Sequence, residues 1–178
     1  MEQGNFRSNL VVELYSRLKR EMTDFQKATY KDLSKEESVR LKKFLCLPME
    51  ELKKIKPVWV EEENKSEAFF GPFDEYEIEY ISPKLLIDNA NMLNLPTDKL
   101  FNNDIDDFRY ITTLDRWQEK RSVDPPRIRI NNSLEKAIEF GDGRHRAILG
   151  YILEEQSIPI LVHRSQIDEY KLFISNNL

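Results

Sequence analysis

Phe140-Gly141-Asp142-Gly143-Arg144-His145-Arg146-Ala147 joins a strand-like apolar run to a helix-like one. Glycines at 141 and 143 permit positive φ and leave no Cβ in the way, so the backbone can come close to a bulky anion. The helix expected from residue 144 presents its first N–H groups and the positive end of its dipole at the same place. Arg144 and Arg146 add planar cations with several donors each, a match for phosphate oxygens. The bland reading is an ordinary tight turn with solvated arginines, and a Gly-Asp-Gly turn alone does not decide between the two.

Working outward, Pro125-Pro126 stops any helix before Arg127-Ile128-Arg129-Ile130, which reads as a strand. Asn131-Asn132-Ser133 makes a turn, and Lys136-Ala137-Ile138-Glu139-Phe140 returns as the second arm of a hairpin. Alternation puts Ile128 and Ile130 on one face and Arg127 and Arg129 on the other, where the arginines either extend the basic site or are simply solvated. Downstream, residues 144 to 155 suit a helix with Ala147, Ile148, Tyr151 and Ile152 on one face. Ile158-Pro159-Ile160-Leu161-Val162 is a buried strand, and a last helix runs from about residue 166 to 174.

Upstream, Tyr76, Ile78 and Tyr80 alternate with Glu77 and Glu79, the period of a half-buried strand. Residues 85 to 93 suit a short helix. Asn103 or Asp104 can cap a longer one whose inward residues are Ile105, Phe108, Ile111 or Thr112, Leu114 and Trp117. The acidic cluster Asp104, Asp106 and Asp107 has the oxygen ligands that Mg²⁺ prefers, but equally the makeup of a helix cap and first turn.

Residues 6 to 56 read as helical. Leu10, Val11, Leu14 and Leu18 make one apolar stripe, and Ser34 with Glu37 has capping-box spacing ahead of Val39, Leu41, Phe44 and Leu45. Pro48 closes or kinks that run, and residues 49 to 55 suit a short third helix. Val58-Trp59-Val60 reads as a strand belonging to either side. The polar run 61 to 67 with Gly71-Pro72 has loop composition. The expected division is a helical region at 1–60, a linker at 61–75 and an α/β domain at 76–178, with a small mixed sheet and flanking helices.

A chain of 178 residues with 40% hydrophobic and 33% charged residues has the apolar content for a packed core. The formal charge of -5 argues against a basic coat for sequence-independent duplex binding. One cysteine, Cys46, leaves no internal disulfide, and the two histidines show no zinc spacing. The start of the chain lacks a signal pattern, so the expected location is cytoplasmic with no membrane contact.

Residues Gly141 to Ala147 resemble the second sequence box of ParB-type proteins, Gly-Glu-Arg-Arg-x-Arg-Ala, and more closely the Asp-Gly-x-His-Arg form in ParB-like nucleases and free serine kinases of that fold. The order of elements from about 76 to 174 resembles the ParB/sulfiredoxin fold as well. The resemblance implies a phosphate-binding turn whose ligands are Gly141, Gly143, Arg144, His145 and Arg146. It further implies a nucleotide such as ATP, ADP or CTP with Mg²⁺, or single-stranded nucleic acid, as what is bound. Sulfiredoxins carry a nucleophilic cysteine where this chain has Arg144, so sulfinic acid repair is not expected. Partition ParB proteins continue into a helix-turn-helix and a dimerisation domain; a complete partition protein is not expected unless the helices of 6 to 56 supply that part.

Asp142 and His145 are the catalytic candidates. In the kinase-like members an acidic residue at the Asp142 position touches metal or the accepting hydroxyl; alone, it can stabilise the turn through an Asx bond. Histidine has its reference pKa near physiological pH, which suits His145 to proton transfer, but it can equally orient or hydrogen-bond the turn. Two functions stand side by side. One is a nuclease, NTPase or kinase-like enzyme, with Glu75, Glu77, Glu79, Asp88 and Asp142 as the carboxylates expected near the turn. The other is a non-catalytic nucleotide sensor or protein-interaction module, as in a plasmid, phage or defence regulator, whose N-terminal helices grip a protein partner.

Overall fold

The computed structural model of the chain describes residues 43–63, 74–92, 100 and 107–177, with the side chains of 107 and 108 excepted. All belong to one compact unit, Lys43–Leu178. The expected helices before residue 43, the caps Asn103 and Asp104, and Asp106 lie outside the described residues.

Among the described residues the chain forms α1 (Met49–Leu52), β1 (Tyr76–Ile81), α2 (Pro83–Asp88), α3 (Asp107–Gln118), β2 (Arg127–Ile130), β3 (Ile138–Asp142), α4 (Arg144–Ile152), β4 (Ile158–His163) and α5 (Ile167–Asn177). Short 3-10 turns stand at Lys43–Cys46 and Arg164–Gln166. The architecture is mixed α and β around a four-stranded sheet in the order β1-β4-β2-β3. β1 and β4 pair antiparallel, β2 and β4 parallel, and β2 and β3 antiparallel as the expected hairpin.

Alternation along β2 has the outcome that its sequence requires: Ile128 and Ile130 are buried, Arg127 is half-buried and Arg129 exposed. β4 is enclosed from Ile158 to Val162, so Ile158, Ile160, Leu161 and Val162 form the centre of the core. Burying such aliphatic side chains contributes about 1.5–3 kcal/mol each, which makes this strand the main apolar anchor of the sheet.

Three expectations need correction. β3 begins at Ile138 and runs through Gly141 to Asp142, so the strand is displaced along the chain and the turn that follows is correspondingly short. The register of β2 and β3 jumps from Arg127 opposite Asp142 to Ile128 opposite Phe140, which leaves Gly141 as the extra residue of a bulge. α4 ends at Ile152, and its buried set is His145 with Ala147 to Gly150, whereas Tyr151 is 38% exposed. Gly150 explains that rotation: a Cβ there would stand 2.9 Å from Ile158 Cγ2, so the helix backbone itself lies against the sheet at this point.

Residues 58–60 are joined to the α/β unit. Val60 N–H donates to Val123 O at 2.9 Å, Val123 N–H to Val58 O at 3.0 Å, and Trp117 Nε1–H to Val58 O at 2.9 Å. Trp59 packs edge-on against Trp117, with ring centroids 5.1 Å apart. The segment that sequence left unassigned to a side is thus held by α3 and the loop after it. No described helix is long and apolar enough to cross a membrane.

Candidate functional site

β3 delivers the chain to α4 through one residue, Gly143, and that residue decides the local geometry. Its φ is +84°, in the left-handed region, and a Cβ would lie 2.7 Å from Pro126 Cα. Any larger residue would meet backbone there. Gly143 is the N-cap, α4 starts at Arg144, and Ala147 N–H donates to Gly143 O at 3.0 Å. The N–H groups of the first helical turn have no intrahelical carbonyl, so they are donors at this end of the helix.

Gly141 has a different task. It carries no positive φ, and its nearest neighbour would be Arg127 Cδ at 3.4 Å from a built Cβ. It accommodates the bulge and the stem of Arg127; the expectation of left-handed freedom holds for Gly143 alone.

The start of α4 opens into a cavity of about 370 Å³ between α3 and α4. From the turn come Asp142, Gly143, His145 and Arg146; from α3 come Arg109, Thr112, Thr113 and Arg116; Val123 and Asp124 complete the wall. Gly141 and Arg144 do not line it. Sequence reasoning treated Arg144 and Arg146 as equivalent. Two residue steps on a helix turn about 200°, which sends the two side chains to opposite sides.

Arg146 is not a solvated cation. Its Nη2 donates to Asp142 Oδ2 at 2.5 Å, its side chain is only 14% exposed, and its guanidinium lies over Gly143. Asp142 is therefore an ion-pair partner across one helical turn. The side chain of Asp142 is 46% exposed, so the pair is accessible to solvent and contributes at most about 1 kcal/mol to stability.

His145 is buried, with its Nε2 shut off from solvent and its ring edge-on to Tyr110 at 5.1 Å between centroids. It joins α4 to α3 as well as lining the cavity. Arg116 is fixed from two atoms: Nε and Nη2 both donate to Ser122 O, at 3.1 and 2.7 Å. Thr113 Oγ1 donates to Arg109 O at 2.9 Å within the helix.

Of the carboxylates expected near the turn, only Asp142 lines the cavity. Glu75, Glu77 and Glu79 stand on or beside β1, which β4 and β2 separate from β3, and Asp88 pairs with Lys84 at the end of α2. The second carboxylate of the wall is Asp124, buried and not foreseen. Arg109, Thr112, Thr113 and Arg116 were also missed, although their three- and four-residue spacing marks one polar stripe on α3. Cys46 is exposed at the end of the first 3-10 turn. Comparison with protein-family models, curated proteins and solved structures gave no match.

Proposed function

We propose that the cavity at the start of α4 binds the phosphate of a nucleotide, in the manner that the resemblance to ParB/sulfiredoxin-type domains implies. The observation that carries this reading is the convergence of a left-handed Gly143, the first turn of α4 and three arginines, Arg109, Arg116 and Arg146, on one cavity. The helix end and the cations favour the same sign of charge. Three arginines against Asp124 and Asp142 leave the wall net positive in a chain whose overall charge is -5. A volume of about 370 Å³ lies within the range of small-molecule sites, about 300–1,000 Å³.

In this reading the phosphate takes donors from the amides of α4 and from Arg146, while Thr112, Thr113, Val123 and Asp124 face the rest of the ligand. Among the described residues no three His, Cys, Asp or Glu side chains come together. Mg²⁺ would therefore bind here through Asp142 or Asp124 together with phosphate oxygens, as it commonly does with nucleotides.

Calorimetric titration with ATP, ADP and CTP, with and without Mg²⁺, tests the proposal. Saturable binding of at least one nucleotide, weakened in Arg146→Gln, is expected; no binding of any nucleotide or of inorganic phosphate by folded protein would overturn it. A short single-stranded DNA in the same assay separates the ligand classes, because affinity for a polyanion falls steeply with salt.

A second reading, phosphoryl transfer or phosphoester hydrolysis, is favoured by the presence of both Asp142 and His145 in the wall. Release of inorganic phosphate from a bound nucleotide, lost in Asp142→Asn while binding persists, is its expected sign; binding without turnover leaves the sensor.

A further inference from the structure

A second cavity, of about 290 Å³, is lined by Tyr76, Arg127, Arg129, His163, Ser165 and Gln166. Strand alternation places it on the other face of the sheet from α4. Arg127 pairs with Leu161 and Tyr76 with His163, on the face opposite Ile128 and Val162.

Arg127 is held in a slot. The stem passes beside Gly141, with the built Cβ 3.4 Å from Cδ, and the guanidinium carbon stands 5.1 Å from the Tyr76 ring centroid. Its Nε is fully buried and has no hydrogen-bond acceptor. Burial of Nε leaves the Nη groups of Arg127 as the donors that a ligand in the cavity can reach. Neither Arg127 nor Arg129 makes an ion pair with a carboxylate among the described residues, although Glu139 is the cross-strand partner of Arg129 in register.

The remaining walls are oriented. Ser165 N–H donates to His163 Nδ1 at 3.2 Å, and Ser165 Oγ lies 2.8 Å from the same nitrogen. Gln166 Nε2 donates to Ile130 O at 3.0 Å, which ties the 3-10 turn to the end of β2. Glu75 Oε2 lies 3.8 Å from His163 Nε2.

We propose that this second cavity is an oxyanion site for a phosphate group, held by Arg127 and Arg129. The two guanidiniums together offer more donors than the two oxygens of a carboxylate can take, whereas the oxygens of a phosphate can accept from both. The site is independent of the α4 cavity, from which the sheet separates it.

Arginine Nε–H resonances in proton–nitrogen correlation spectra give a direct readout, since the buried Arg127 Nε–H exchanges slowly with solvent. Inorganic phosphate should move that resonance saturably, and chloride at equal ionic strength should not. Arg129→Gln, a change at an exposed residue that the fold tolerates, should weaken phosphate binding about tenfold or more. Arg146→Gln, in the other cavity, should leave it unchanged. AMP binding much tighter than inorganic phosphate would identify a phosphorylated molecule as the ligand; equal affinity would identify the free ion. A resonance that ignores phosphate, follows chloride equally, keeps its affinity in Arg129→Gln or loses its response in Arg146→Gln would overturn the proposal.

Discussion

The two walls of the α4 cavity are built on different principles. One is a turn: Asp142, Gly143 and Arg146 are placed by a single left-handed residue wedged on Pro126. The other is a helix face: Arg109, Thr112, Thr113 and Arg116 are placed by α3, whose apolar side, Tyr110, Leu114 and Trp117, is locked into the core. The turn wall depends on one backbone conformation and should fail abruptly. The helix wall depends on distributed packing and should lose only what each side chain contributes.

The hardest test of that contrast is Gly143→Ala. A Cβ within 2.7 Å of a backbone atom, at φ +84°, should cost about 2–4 kcal/mol in urea unfolding and abolish nucleotide binding. A loss below about 1 kcal/mol would show that the turn can relax and that the contrast is false.

Next come the arginines, read by calorimetry on folded protein. Arg146→Ala should weaken nucleotide binding about tenfold to a hundredfold, and Arg116→Ala by a similar factor, as loss of a charge-assisted contact does. Arg144→Ala should change affinity less than about threefold, because Arg144 stands outside the cavity. Equal losses for Arg144 and Arg146 would put the ligand on the outer side of the turn.

A site remote from both walls calibrates the scale. Tyr170 O–H donates to Tyr80 O at 2.9 Å, and burial, with Glu79 as a lesser cause, pushes its phenol well above the usual range. A raised folded pKa means that this stability is complete below about pH 10, the unfolded value, and is lost as pH rises beyond it. Tyr170→Phe should therefore cost about 1 kcal/mol at neutral pH and flatten the alkaline decline of the melting temperature.

The smallest effect should be at the other glycine. Gly141→Ala meets Arg127 Cδ at 3.4 Å in an extended backbone, so unfolding free energy should change by less than about 1 kcal/mol. A large loss would mean that the bulge, too, needs glycine for its conformation.

The hairpin, the start of α4 and the enclosed β4 were legible because each is a local pattern: alternation in Arg127–Ile130, glycine before a helix, a continuous apolar run at 158 to 162. The end of β3 was not. A bulge adds one residue without changing the alternation seen on either side, so Gly141 and Asp142 read as turn. The rotation of α4 that exposes Tyr151 depends on Gly150 meeting Ile158 across the fold, a contact with no sequence neighbour. The α3 wall was hidden for a similar reason. Arg109 and Arg116 have helical spacing, yet nothing local says that their stripe faces the start of α4 rather than water. Asp124 is the clearest case: a carboxylate next to two prolines has the look of a loop, and only packing reveals that it is buried in the wall.

The Arg146–Asp142 ion pair sets a threshold for anything that enters. A ligand reaching for Arg146 competes with a carboxylate tethered four residues away on the same chain, whose effective concentration is on the order of millimolar or higher. A free monocarboxylate offers Arg146 nothing that Asp142 does not already supply, and at cellular levels it loses that competition. A multiply charged ligand can also draw on the amides of α4, which Asp142 leaves unused, so exchange of partners on Arg146 discriminates by charge density before shape is consulted.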